Sequence, residues 1–296
     1  MASLLCLSLF MMLLNGSKLS EATHEHKHGH GHCRDHNNGM QEDNVNVDGV
    51  NINYVRTGTG DHPVLLLPGA MGWSWFNFGP QIEGLDREKL TVIAWDPPGY
   101  GRSIPPTRTY PLNVLARDAS WARNLMRTLG FETFSLVGWS EGGAVAMTLA
   151  GNYPDNVRKL VSVSSQAYIT PEEMEQLRQS RNGSIPESVR DTVVAFYGED
   201  YYSTMRANLI DGLENVYIKK NGSLCKEELP KIRAPTLVIH GRNDPGVPLF
   251  HATYLRDNIR GARLKIMENA THPVQLEHPQ EFNSIVTNFL TEGIVT

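Results

Sequence analysis

The feature that most restricts this chain is the pentapeptide Gly138-Trp139-Ser140-Glu141-Gly142, set between the apolar run Phe134 to Val137 and the small-residue stretch Gly143 to Ala150. Such a run is expected as a buried strand and the following stretch as a helix, so the serine falls on a sharp strand-to-helix turn. The glycines let sheet and helix backbones approach while Ser140 stands at the top of the turn with its hydroxyl exposed. A G-x-S-x-G pattern in that context is the signature of a serine nucleophile.

The rest of the chain supplies a matching scaffold. Val45 and Val47, the turn Asp48-Gly49, then Ile52 and Tyr54 alternate as a hairpin whose turn residues accept positive φ. Short apolar runs follow at Val64 to Leu67, Leu90 to Trp95, Phe134 to Val137, Leu160 to Val163, Leu237 to Ile239 and Leu264 to Met267. Uninterrupted runs of this kind, rather than in-out alternation, indicate strands covered on both faces. Helical periodicity lies between them. Leu112, Leu115, Ala119, Ala122, Met126 and Leu129 share one face, and Gly130 stops that helix. The predicted architecture is a mostly parallel sheet with helices on both faces. The interval 166–232 has helical pieces but no buried strand run, and is expected to form a lid over the ligand crevice.

Composition narrows the function. The chain has 296 residues, 40% of them hydrophobic and 20% charged, with a net charge of −5. That is a globular composition. A mild acidic excess without a basic stripe argues against a nucleic-acid partner. Residues 1–22 read as a signal peptide, since their apolar run is too short for the about 20 residues a membrane span needs. No membrane partner is expected, and the chain should enter the secretory pathway. Residues 23–44 read as a flexible tail carrying six of the eleven histidines. Incidental metal binding is expected of it, but not a catalytic metal, because a flexible tail offers no fixed geometry. The folded domain is set at 45–296. Cys6, Cys33 and Cys225 are too few for a disulfide scaffold or a four-cysteine zinc site.

A serine needs a base to take its proton and an acid to orient that base, in the chain order Ser, Asp or Glu, His. Asp244 follows the run Leu237 to Ile239, and His272 follows Leu264 to Met267, each at the sheet edge where Ser140 sits. His240 reads as a packed strand-end residue, and His251 and His278 as exposed helix starts. An oxyanion hole requires two backbone N–H donors. Glu141, directly after the nucleophile, offers one; Ala70 in the loop after Leu67 offers the other, with Met71 in reserve. No cofactor is needed for this chemistry.

From Val45 to Leu290 the sequence resembles the α/β-hydrolase superfamily and, within it, the valacyclovir hydrolase (biphenyl hydrolase-like) proteins. The resemblance rests on LLLPGAMG, FGPQ, VIAWDPPGYGRS, LVGWSEGG, PTLVIHGRNDPGVPLFHA, GARLKIMENATH and EFN. It implies a small-molecule ester substrate, specifically an α-amino acid ester, cleaved by a Ser140, Asp244 and His272 triad through an acyl-enzyme. It also implies that the acidic residue after the nucleophile, here Glu141 instead of the usual Asp, binds the substrate ammonium. Two departures stand out: Pro273 follows the histidine, and Trp73, Trp75, Phe76 and Phe78 crowd the loop after Gly69. The aromatic loop favours, as an alternative, a general carboxylesterase for hydrophobic or xenobiotic esters. A slow-turnover ligand-binding homologue is the reading from another class. If the chain is secreted, Asn182, Asn221 and Asn269 head glycosylation sequons. Asn269, three residues before His272, is expected to stay largely unmodified.

Overall fold

The computed structural model describes residues 39–181 and 190–293. The proposed signal segment, most of the histidine tail and Asn182 lie outside them. Eight strands form one sheet in the order β1-β2-β4-β3-β5-β6-β7-β8. They are β1 (Met40–Val47), β2 (Val50–Thr57), β3 (His62–Leu67), β4 (Leu90–Trp95), β5 (Phe134–Trp139), β6 (Val157–Val163), β7 (Thr236–Gly241) and β8 (Arg263–Met267). The β1-β2 and β2-β4 pairs are antiparallel and the remainder parallel. Asp48 and Gly49 turn the hairpin with φ of 52° and 84°.

The first strand begins at Met40 rather than at the expected boundary, Val45, and pairs Met40 with Thr57. Its early residues are polar, so hydrophobic patterning gave no sign of them; backbone pairing alone extends the hairpin to this edge.

Every residue of β3, β4, β5 and β7 is buried, because helices cover both faces. On one face Leu65, Leu67, Ile93 and Leu136 pack against α2 (Val114–Thr128) and α3 (Glu141–Asn152). On the other, Val64, Leu66, Val92 and Val137 meet α1 (Ser74–Gly84) and the C-terminal helix (Pro279–Thr291). Successive residues of one strand thus enter different cores, as the two-residue strand period requires. Leu115, Ala119, Ala122 and Met126 form the buried face of α2. Leu112, expected on that face, lies before the helix and is exposed.

Between β6 and β7 the chain leaves the sheet. It forms α4 (Pro171–Ser180), helical turns at Arg190–Val194 and Ala195–Tyr197, and α5 (Glu199–Lys219). Val193, Tyr202 and Met205 of this insertion form a small apolar cluster with Met71 and Tyr100, which belong to loops at the C-terminal edge of β3 and β4. The insertion therefore lies over the sheet edge where an open parallel sheet binds ligands. After β7 come α6 (Leu249–Asn258) and, beyond β8, α7, the C-terminal helix Pro279–Thr291.

Candidate active site

Ser140 follows β5 at the N-cap position of α3, with φ 54° and ψ −122°, a combination few non-glycine residues adopt. Its neighbours show why. A Cβ on Gly138 would come 2.3 Å from the Gly142 carbonyl oxygen, and one on Gly142 would come 2.1 Å from that of Leu67. Both glycines are needed for the helix to start this close to the sheet, and the strained serine follows from that packing.

The C-terminal ends of β5, β7 and β8 bring three side chains together. His272 Nε2 lies 3.1 Å from Ser140 Oγ, and its Nδ1 lies 2.8 Å from Asp244 Oδ2. The other Asp244 oxygen accepts the amides of Gly246 and Val247, both at 2.8 Å. Burial by itself would raise the Asp244 pKa, but His272 and its hydrogen bond, with help from His240, hold it below its ordinary value. An ionised carboxylate only accepts, so the His272 proton sits on Nδ1 and Nε2 is free to receive the serine proton. The two loops are locked to each other. Asn243 N donates to Ala270 O at 3.0 Å across them, and Glu277 fixes the His272 loop from within by taking the Thr271 amide at 2.7 Å.

The other histidines divide differently from expectation. His240 is the packed strand-end residue expected, with its Nε2 2.8 Å from Val247 O and 3.6 Å from Asp244 Oδ2. His251, read as exposed, is fully buried on α6, its Nε2 2.8 Å from Glu173 Oε1 of the lid. Its helix begins under the lid, and nothing in the local sequence signals that cover.

The loop Pro68 to Gly72 lies against the nucleophile, since a Cβ on Gly69 would fall 3.2 Å from Ser140 Cβ. Asn77 fixes this loop by accepting the Gly69 amide at 3.1 Å, and Met71 has φ 58°. Ala70 belongs to this loop and Glu141 opens α3, directly after the nucleophile. The aromatic residues that follow split into two groups. Phe78 fills the core and Trp75 packs against it, whereas Trp73 stacks on Phe76 at 4.6 Å and on Phe196 of the lid at 4.2 Å.

The Glu141 side chain turns inward. Its Oε1 is 3.0 Å from Arg108 Nη2, and its Oε2 accepts from Tyr100 Oη at 3.1 Å. Arg108 Nη2 also lies 2.5 Å from Asp118 Oδ2. Burial pushes the Glu141 pKa up, with Arg108 pulling it back. Sequence reasoning missed Arg108, Tyr100 and Asp118, although Asp118 carried a signal: a carboxylate on the apolar face of α2, between Leu115 and Ala119. It also missed Trp139, whose indole N–H donates to His272 O at 2.9 Å and ties the base to the residue before the nucleophile.

A serine elbow, a base and an acid on successive strand ends of a mostly parallel sheet, under a helical insertion, define an α/β hydrolase of the serine type. The α/β hydrolase fold family model matches residues 62–198, and a TAP-like protein model matches 218–296. The chain belongs to the α/β hydrolase family, and it is a hydrolase. It is 40% identical over 249 residues to Serine hydrolase BPHL of Homo sapiens, covering 83% of this chain and 85% of that protein. A 2-hydroxy-6-oxononadienedioate/2-hydroxy-6-oxononatrienedioate hydrolase of Pseudomonas sp is 31% identical, covering 79% and 89%. Among solved structures, a serine hydrolase of Cycloclasticus zankles matches with a TM-score of 0.68 at 23% identity, covering 87% of this chain and all of that one. The meta-cleavage product hydrolase of Pseudomonas fluorescens IP01 matches with a TM-score of 0.64 at 23% identity, covering 84% and 97%. These last two likenesses speak for the fold alone.

Proposed function

We propose that this serine hydrolase cleaves small carboxylic esters, α-amino acid esters above all, through an acyl-enzyme on Ser140. The observation that carries the reading is the continuous relay from Ser140 Oγ through His272 to Asp244, at 3.1 and 2.8 Å, on an elbow held at φ 54°. Ser140 attacks the ester carbonyl as its proton passes to His272 Nε2. The Ala70 and Glu141 amides receive the developing oxyanion, helped by the α3 N-terminus. His272 then returns the proton to the departing alkoxide, and water, activated by the same histidine, releases the acid.

Glu141 supports the ammonium preference. Its carboxylate lies one residue from the nucleophile, where it would attract a cationic amino group and repel an acidic substrate. The inner group of Arg108, Asp118 and Glu141 has one cation for two carboxylates, so Arg108 is already committed and is a poor receptor for a substrate carboxylate. A dienedioate such as the Pseudomonas relative's name specifies is therefore disfavoured here. The Trp73, Phe76 and Phe196 stack favours a second reading, a broader esterase for hydrophobic acyl groups, and suits an aromatic acyl chain in either case.

The test is a panel of phenylalanyl and 3-phenylpropionyl esters, which differ only in the amino group. The wild type should prefer the phenylalanyl ester, Ser140→Ala should lose both activities, and Glu141→Gln should lose the preference. A preference untouched by Glu141→Gln would favour the broader esterase. We also infer passage through the secretory pathway from residues 1–22; an intact initiator end on the protein recovered from its native source would contradict it.

A further inference from the structure

Arg108 is 1% exposed, and its surroundings account for its charge unevenly. It lies on the chain between β4 and α2, with the rings of Tyr100 and Tyr110 at 4.4 and 5.0 Å from its guanidinium carbon. Nη1 reaches the Pro98 carbonyl at 3.3 Å. A single nitrogen, Nη2, serves both Asp118 at 2.5 Å and Glu141 at 3.0 Å. Asp118 is thus the nearer partner, and Glu141 receives one nitrogen where a freely aligned guanidinium would give a carboxylate two. Burial raises the pKa of both tyrosines, and Glu141 raises them further, so they remain neutral donors. With the three buried ionisable groups charged, one negative charge is left over. Arg117 Nε approaches the other Asp118 oxygen at 3.2 Å from the outer side and makes no contact with Glu141; its guanidinium is shared with Thr109 and the Trp121 ring, so it offsets Asp118 only in part.

We propose that Asp118, itself sealed from solvent, is a specificity-determining positioning residue: by holding Arg108 it leaves Glu141 enough uncompensated negative charge to select esters carrying an α-ammonium group. The inference rests on Glu141 as the ammonium subsite. Without Asp118 the guanidinium would belong to Glu141 alone, and the pair would present no net charge to the substrate. The role is indirect, since Asp118 acts through Arg108 and reaches no reacting atom.

The ratio of kcat/KM for the phenylalanyl over the 3-phenylpropionyl ester, measured at a pH where the amino ester is protonated, tests this. Asp118→Asn, which keeps shape and removes charge, should lower the ratio roughly tenfold. Asp118→Glu should retain it whatever happens to the absolute rates. Arg108→Gln, measured at the highest pH at which the amino ester is still protonated so that Glu141 stays ionised without its cation, should hold the ratio or raise it, and reads out the inference even if Asp118→Asn does not fold. A purely structural Asp118 would depress both esters together and leave the ratio unchanged, and that result overturns the proposal. So does an Arg108→Gln ratio as low as that of Glu141→Gln. If Glu141→Gln itself leaves the ratio intact, the ammonium reading beneath the proposal is what has failed.

Discussion

At the scale of single residues, the site is a consequence of crowding. Gly138 and Gly142 bring α3 so close to β5 and β3 that the residue between them has to take a positive φ, and that places Ser140 Oγ above the sheet edge within reach of His272. Gly142→Ala would press a methyl group against the Leu67 and Pro68 carbonyls. It should cost about 3 kcal/mol or more of stability, seen as a lower urea midpoint with an unchanged slope. Trp139 is expected to act on the rate. Trp139→Phe removes the donor to His272 O, and should lower kcat by roughly 3- to 10-fold, the value of about one hydrogen bond, with KM little changed in steady-state assays. Much of this scale was legible in advance. Ser140, Asp244 and His272 could be singled out from motif, order and strand ends. Arg108 and Tyr100 could not, because they stand in an irregular loop whose partners are set only by tertiary packing. His251 was misplaced for the same reason, since its burial comes from another part of the chain.

At the scale of elements, the parallel strands supply fixed ends, and the lid supplies what varies. The lid is anchored at its start by one side chain with two duties. Glu173 Oε2 accepts the Thr170 amide in a capping box at the head of α4, while Oε1 meets buried His251 of α6 at 2.8 Å. Glu173→Ala should remove about 2 kcal/mol of stability, measurable as a lower Tm, and should loosen lid residues in hydrogen exchange before the sheet. Lid tyrosines hold the other side. Tyr197 Oη accepts the Gly101 amide at 2.7 Å and Tyr201 Oη donates to Gly99 O at 2.9 Å, so the loop carrying Tyr100 is fastened to the insertion that covers it. The insertion itself was visible in the sequence as a break in the strand rhythm. Its packing was not, because helices of mixed polarity on a loop edge carry no register that patterning can fix.

At the scale of the whole molecule, one eight-stranded sheet with two cores carries the fold, and its uninterrupted apolar runs make that architecture readable from the sequence; the start of the first strand, Met40 to Asn44, is not. The sheet also holds a pH dependence remote from the site. His62, at the start of β3, has its Nε2 2.7 Å from Ser135 Oγ on β5. Burial, then Arg158 and Lys159, lower its pKa from 6.5 to about 4. The unfolded chain therefore binds a proton that the folded one resists, and stability should fall as pH drops from 6.5 toward 4. His62→Gln should flatten that part of the curve in urea unfolding at stepped pH; a curve parallel to wild type would contradict it. The central claim is covalent catalysis at Ser140, and rapid mixing with a p-nitrophenyl ester tests it most directly. The expected result is a burst of nitrophenol approaching one equivalent per chain, with the acyl mass found on the peptide containing Ser140 and absent in Ser140→Ala. Undiminished turnover by Ser140→Ala, or an acyl mass on a different residue, would contradict it.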